Sequence, residues 1–160
     1  MKAVKTLLTS IAALSGVLFT SVSLQAADFK AGEDYVVTAP KGSDEPMVEE
    51  FFNYACGACY SMEKFVSELK SGNPKVKFKA VPVELNPAWK IYVKAYYVGE
   101  KLGLLETSHA KLFHRIHVER KPLKNDDDMK AFYVSLGADA KAFDDIIKSY
   151  WLNTQLRQAK

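Results

Sequence analysis

Apolar and polar positions change period three times along this chain. A short β-prone run, Tyr35-Val36-Val37-Thr38, lies between Gly32-Glu33-Asp34 and Pro40-Lys41-Gly42, and a second, Met47 to Asn53, follows it. The two runs are expected to be neighbours in a sheet. From Cys56 the period becomes helical, with Tyr60, Phe65, Val66 and Leu69 apolar against polar Glu63, Lys64, Glu68 and Lys70, until Ser71-Gly72-Asn73-Pro74 stops it. Val76 to Val83 then alternates again, Val76, Phe78 and Ala80 standing among lysines at 75, 77 and 79. Strand, helix and strand at this spacing predict a βαβ unit with parallel strands and a right-handed crossover.

Beyond Asn86-Pro87 the pattern predicts helices alone: about Ala88 to Leu102, Ser108 to Val118, Asp126 to Leu136, Ala140 to Lys148, and one from Ser149. Trp89, Tyr92, Tyr96, Tyr97 and Phe113 recur at helical spacing, which makes them core residues first and candidates for an apolar groove second. Asn125-Asp126-Asp127-Asp128 reads as a cap followed by first-turn acids that complement the helix dipole. Gly99 and Gly103 form a G-x-x-x-G, which outside a membrane helix marks close packing or a helix end.

The first 26 residues have a different character. Lys2 and Lys5 precede an apolar run from Leu7 to Phe19, and Ser23-Leu24-Gln25-Ala26 suits cleavage, so 1–26 is expected to be a secretory signal. Thr9, Ser10, Ser15 and Gly16 interrupt that run, which argues against a membrane anchor of about 20 apolar residues. With the two signal lysines set aside, the net charge falls from +3 to +1. No basic stripe with interleaved aromatics stands out, so no nucleic acid partner is expected. The remainder has the length of one domain, in which 27–86 is expected to carry the βαβ unit and 87–160 to form a helical part.

The only two cysteines, Cys56 and Cys59, sit three apart where the second strand gives way to a helix. A disulfide closing so short a loop removes little unfolded-state entropy, so a structural staple is a poor explanation for it in an exported protein. A redox-active dithiol is a better one. The helix N-terminus places unpaired backbone N–H groups at the first sulfur and favours its thiolate, making Cys56 the candidate nucleophile and Cys59 the resolving thiol. Glu49 and Glu50 face opposite sides of their strand, and Glu50 is the candidate for a buried carboxylate able to pass protons to and from Cys59. His109, His114 and His117 invite a zinc reading, but only two residues separate 114 from 117. They are expected to be ordinary solvated helix histidines, with neither metal nor cofactor required.

On Glu50-Phe51-Phe52-Asn53-Tyr54-Ala55-Cys56-Gly57-Ala58-Cys59, on Val81-Pro82-Val83-Glu84-Leu85-Asn86-Pro87-Ala88-Trp89 and on Ile116-His117-Val118-Glu119-Arg120-Lys121-Pro122-Leu123, the chain resembles the DsbA family of periplasmic thiol-disulfide oxidoreductases. The resemblance implies an α/β fold: a thioredoxin-like βαβ unit with a helical insertion domain. It implies Cys56 as exposed nucleophile, Cys59 as its buried partner and Glu50 as the acid beneath them. It also implies a periplasmic enzyme that introduces disulfide bonds into unfolded exported polypeptides and is regenerated by a membrane-bound, quinone-linked thiol oxidase. Oxidising family members carry Pro-His between the cysteines, so Gly57-Ala58 implies a less oxidising couple. The family continues, after its helical part, into a Gly-Val-Pro segment with a cis-proline and further strands. The sequence ends at Lys160 before such a segment, and the C-terminal strands of the fold are expected to be absent from this chain. A non-catalytic peptide-binding or chaperone-like version of the same fold is the alternative reading.

Overall fold

A computed structural model describes residues 28–159, so the expected signal at 1–26 lies outside the described residues. Residues from Ser43 onward form one compact unit, and the described residues through Gly42 belong to another. In the latter the chain turns back on itself, the Gly32 N–H donating to the Tyr35 carbonyl at 2.8 Å and the Lys30 N–H to the Asp34 carboxylate at 2.9 Å. The expected strand at Tyr35-Val36-Val37-Thr38 is not formed. Tyr35 makes an isolated bridge to Ala31, and Val36 and Val37 are exposed. A β-prone run becomes a strand only where a partner ladder takes up its N–H and C=O groups, and here a tight turn takes that of Tyr35 instead.

The larger unit begins with β1 (Met47–Phe52), α1 (Gly57–Gly72) and β2 (Lys77–Pro82). The two strands pair in parallel with Glu50 opposite Ala80 and Phe52 opposite Pro82, so the expected βαβ unit is present. Alternation puts Glu50 and Phe52 on one face with Phe78 and Ala80. Glu49 is on the other face, where its carboxylate meets the Lys79 ammonium at 2.8 Å.

A 3-10 turn at Pro87–Trp89 then leads into five helices: α2 (Lys90–Lys101), α3 (Leu105–His117), α4 (Asp126–Ser135), α5 (Ala140–Ile147) and α6 (Tyr150–Gln158). The central one is α2, which packs against α3, α4, α5, α6 and β2 and buries Val93, Ala95 and Val98 completely. Of the aromatic positions read from the sequence, Tyr92, Tyr96 and Phe113 are buried and Trp89 and Tyr97 partly so. Polar side chains set the helix starts. Asn125, Asp139 and Ser149 accept the N–H of the residue three ahead at α4, α5 and α6, and Asp126 to Asp128 fill the first turn of α4.

Both readings of the G-x-x-x-G hold, one at each glycine. Gly103 stands just past α2 with φ of 69°, and the N–H groups of Gly103 and Leu104 return to the carbonyls of Glu100 and Gly99, satisfying the last turn. A Cβ at Gly99 would sit 2.8 Å from the Tyr133 hydroxyl and 2.9 Å from the Ser108 hydroxyl. The missing side chain lets α3 and α4 come that close to α2.

Candidate functional site

The site is built where β1 ends. Asn53, buried, holds the turn together: its side-chain oxygen accepts the Ala55 N–H at 2.9 Å, and its amide donates to the carbonyls of Val83 at 2.9 Å and Trp89 at 3.3 Å. The Cys56 N–H closes the turn on the Asn53 carbonyl at 3.0 Å. From there α1 starts, and its N-cap is Cys56 itself. The Cys56 sulfur accepts the Cys59 N–H at 3.2 Å, the position taken by oxygens at the starts of α4, α5 and α6. Sulfur is a weak acceptor as a thiol and a stronger one as a thiolate.

The two cysteines are both free and both partly exposed. They differ in surroundings. Burial pushes the Cys59 thiol above its ordinary value, its hydrogen bond with Cys56 pushes further, and the charges of Cys56 and Glu50 act in the same direction; a backbone hydrogen bond at Asn53 partly offsets them. Cys59 therefore holds its proton while Cys56 takes the helix terminus.

Glu50 points inward from β1 into a cavity of about 420 Å³ between the strands, α1 and α3. Burial raises its carboxyl first and the nearby Glu63 carboxylate second, with His109 and Lys70 pulling the other way. The structure thus brings Cys56, Cys59 and Glu50 into one neighbourhood. The inward face of α1 differs from the pattern expected for it: Glu63 and Val66 turn in, whereas Phe65 and Leu69 are exposed. Cys59, Glu63 and Val66 recur at three- and four-residue spacing and form the partly buried stripe of α1.

The histidines correct a second expectation. His114 is exposed and meets Glu119 at 3.2 Å, but His109 and His117 are only partly exposed and packed against other elements. With Phe113 between them they share one face of α3, four residues apart each, and that face packs on the β1–α1 turn. His109 sits between Tyr54 and Glu63, at 2.9 Å from the Tyr54 hydroxyl and 3.3 Å from a Glu63 oxygen. His117 stacks on the Tyr60 ring with centroids 4.8 Å apart and reaches the Tyr54 carbonyl at 2.8 Å. Among the described residues no group of three or more His, Cys, Asp or Glu is arranged to hold a metal ion. Asn53, Tyr54, His109 and His117 were not singled out as functional residues by the sequence. The signal was the shared spacing of His109, Phe113 and His117.

No family model matches the chain. Among curated proteins it is 31% identical over 159 residues to the thiol:disulfide interchange protein DsbA of Bordetella parapertussis, an alignment covering 96% of this chain and 76% of that one. Among solved structures, Pseudomonas aeruginosa DsbA superposes with a TM-score of 0.69 at 28% identity, covering 83% of this chain and 72% of the other. Proteus mirabilis DsbA in complex with a non-covalently bound peptide, PWATCDS, superposes with a TM-score of 0.62 at 25% identity over 84% of this chain and 74% of the other.

Proposed function

The chain belongs to the DsbA family of thiol:disulfide interchange proteins, and on that premise we propose that it oxidises thiol pairs in unfolded exported polypeptides through a Cys56–Cys59 couple. The observation that carries the proposal is the Cys56 sulfur at the α1 N-cap, accepting the Cys59 N–H. A couple whose reduced form contains a stabilised thiolate is a better oxidant, because that stabilisation is gained only when its disulfide opens.

In the oxidised protein a substrate thiolate attacks the Cys56 sulfur. The Cys56–Cys59 bond breaks, a mixed disulfide forms between substrate and Cys56, and Cys59 leaves as a thiolate. Cys59 then takes a proton, for which the Glu50 carboxyl is the donor. A second substrate thiolate attacks the substrate sulfur of the mixed disulfide, closing the substrate disulfide and releasing Cys56 as a thiolate on the helix terminus. Two electrons have moved from the substrate to the protein. A membrane-bound, quinone-linked thiol oxidase of the periplasm removes them and restores the Cys56–Cys59 bond.

Two features support a polypeptide substrate. Cys56 lies at an exposed turn rather than in a closed pocket, and the Proteus mirabilis relative holds a peptide. Redox chemistry falls to the 27–86 part, with the 87–160 helices supplying α3 as the wall behind it. The test is oxidative refolding of a reduced, disulfide-containing protein. Cys56→Ser is expected to abolish disulfide formation. Refolding assistance that survives the substitution undiminished would replace the proposal with the non-catalytic, peptide-binding reading.

A further inference from the structure

One imidazole on α3 links a buried tyrosine to a carboxylate whose second oxygen has no partner. Tyr54 is 1% exposed, burial holds its phenol well above the ordinary range, and its hydroxyl meets His109 Nδ1 at 2.9 Å. On the other side of the ring, Nε2 lies 3.3 Å from Glu63 Oε2. The imidazole also makes edge-on contacts with the rings of Phe52, Tyr54 and Phe113, centroids 5.2, 5.2 and 5.3 Å away.

Glu63 is held by this one polar contact. Its other oxygen, Oε1, is buried without a hydrogen-bond partner, in a carboxylate that lines the same cavity as Glu50. A buried carboxylate oxygen without a donor is costly, and the side chain gains by turning to water when it can. The remaining titratable groups that line this cavity are Lys70 of α1, Lys79 of β2, Tyr96 of α2 and Glu106 of α3, and Cys59 is close enough to feel the Glu50 charge. Of these, Lys79 is committed to Glu49 on the opposite face of the sheet.

We propose that His109 is a positioning residue that clamps Glu63 into the cavity it shares with Glu50, so that one imidazole of α3 controls how tightly the acid beneath the dithiol holds its proton. The proposal rests on the reading of Glu50 as the proton donor to Cys59, and deepens it. When Cys59 leaves as a thiolate, the proton passes from the Glu50 carboxyl to sulfur, and Glu50 is reprotonated from solvent. A Glu63 carboxylate held nearby opposes the ionisation of Glu50 and keeps it protonated for that transfer. His109 acts through the placement of Glu63, whose effect on Glu50 outweighs the opposing one of His109 itself.

The test is the titration of the Glu50 carboxyl, followed by NMR in the reduced protein, which requires no turnover. In His109→Ala the clamp is lost and Glu63 turns to solvent, so the Glu50 midpoint falls by roughly half a pH unit or more. In His109→Gln an amide donor remains within reach of Glu63, and the midpoint stays near that of the unsubstituted protein. In a Glu63→Gln background, His109→Ala adds no further fall. Should His109→Ala fail to fold, Tyr54→Phe removes only the hydroxyl that meets His109 Nδ1, and gives a smaller fall. An unchanged midpoint, or one that rises because His109 acted as a charge, overturns the proposal. Absence of thiol oxidation in the unsubstituted protein would instead overturn the function proposed for the dithiol.

Discussion

The Nε2–H of His117 donates to the Tyr54 carbonyl at 2.8 Å, tying α3 to the backbone two residues before Cys56. The same ring lies flat on Tyr60, one turn into α1, at an interplanar angle of 8°. A single side chain from the helical region therefore braces both the end of the turn and the start of the helix that carries the dithiol.

His117→Ala removes the donor, leaves the buried Tyr54 carbonyl unpaired and deletes the Tyr60 stack. It is expected to cost about 1 to 3 kcal/mol, measured by urea denaturation. His117→Gln restores a donor but not the stack, and should recover part of that loss. Equal losses in the two variants would assign the effect to packing alone.

Glu50→Gln should change the pH dependence of stability. The Glu50 carboxyl is raised in the folded protein, so its contribution is fully present below its unfolded value of about 4.3 and is lost as pH rises through the folded value. The variant does not titrate there. Its stability relative to the unsubstituted protein is expected to be similar near about pH 4 and to become more favourable toward about pH 8. Denaturation midpoints across that range check the sign, and a difference that shrinks with pH contradicts the raised carboxyl.

Ala58→His places an imidazole in the exposed dipeptide between the cysteines, where the cation stabilises the Cys56 thiolate and hence the reduced form. The couple should become more oxidising, by about 30 mV for each tenfold change in the exchange equilibrium. Equilibration with glutathione buffers measures the shift. A potential that moves the other way would separate thiolate stabilisation from oxidising strength in this chain.

Gly99→Ala puts a methyl group 2.8 Å from the Tyr133 hydroxyl, which itself donates to the Ala95 carbonyl at 2.6 Å. Overpacking of this kind is expected to cost about 1 to 3 kcal/mol in thermal or denaturant unfolding. Adding Tyr133→Phe relieves one of the two close contacts, so the double variant should lose less than the sum of the single losses.

The βαβ unit, the run of helices after it and the dithiol were legible in the sequence because they depend on local signals. Alternation over Val76 to Val83, helical period from Cys56, a cap at Asn125, and two cysteines three apart each report on a few neighbouring residues. Tyr35-Val36-Val37-Thr38 misled for the same reason: its β propensity is local, but a strand needs a partner that propensity does not supply.

What the sequence by itself determined is the location of the dithiol at a strand-to-helix turn and the kind of chemistry it supports. Only the tertiary structure decided what surrounds it. It turned Glu63 inward, and it carried His109 and His117 across more than fifty residues of sequence to the two polar ends of Tyr54. Those contacts come from docking α3 against α1 and β1, and burial and proton affinity follow from that docking. No window of neighbouring residues contains that information.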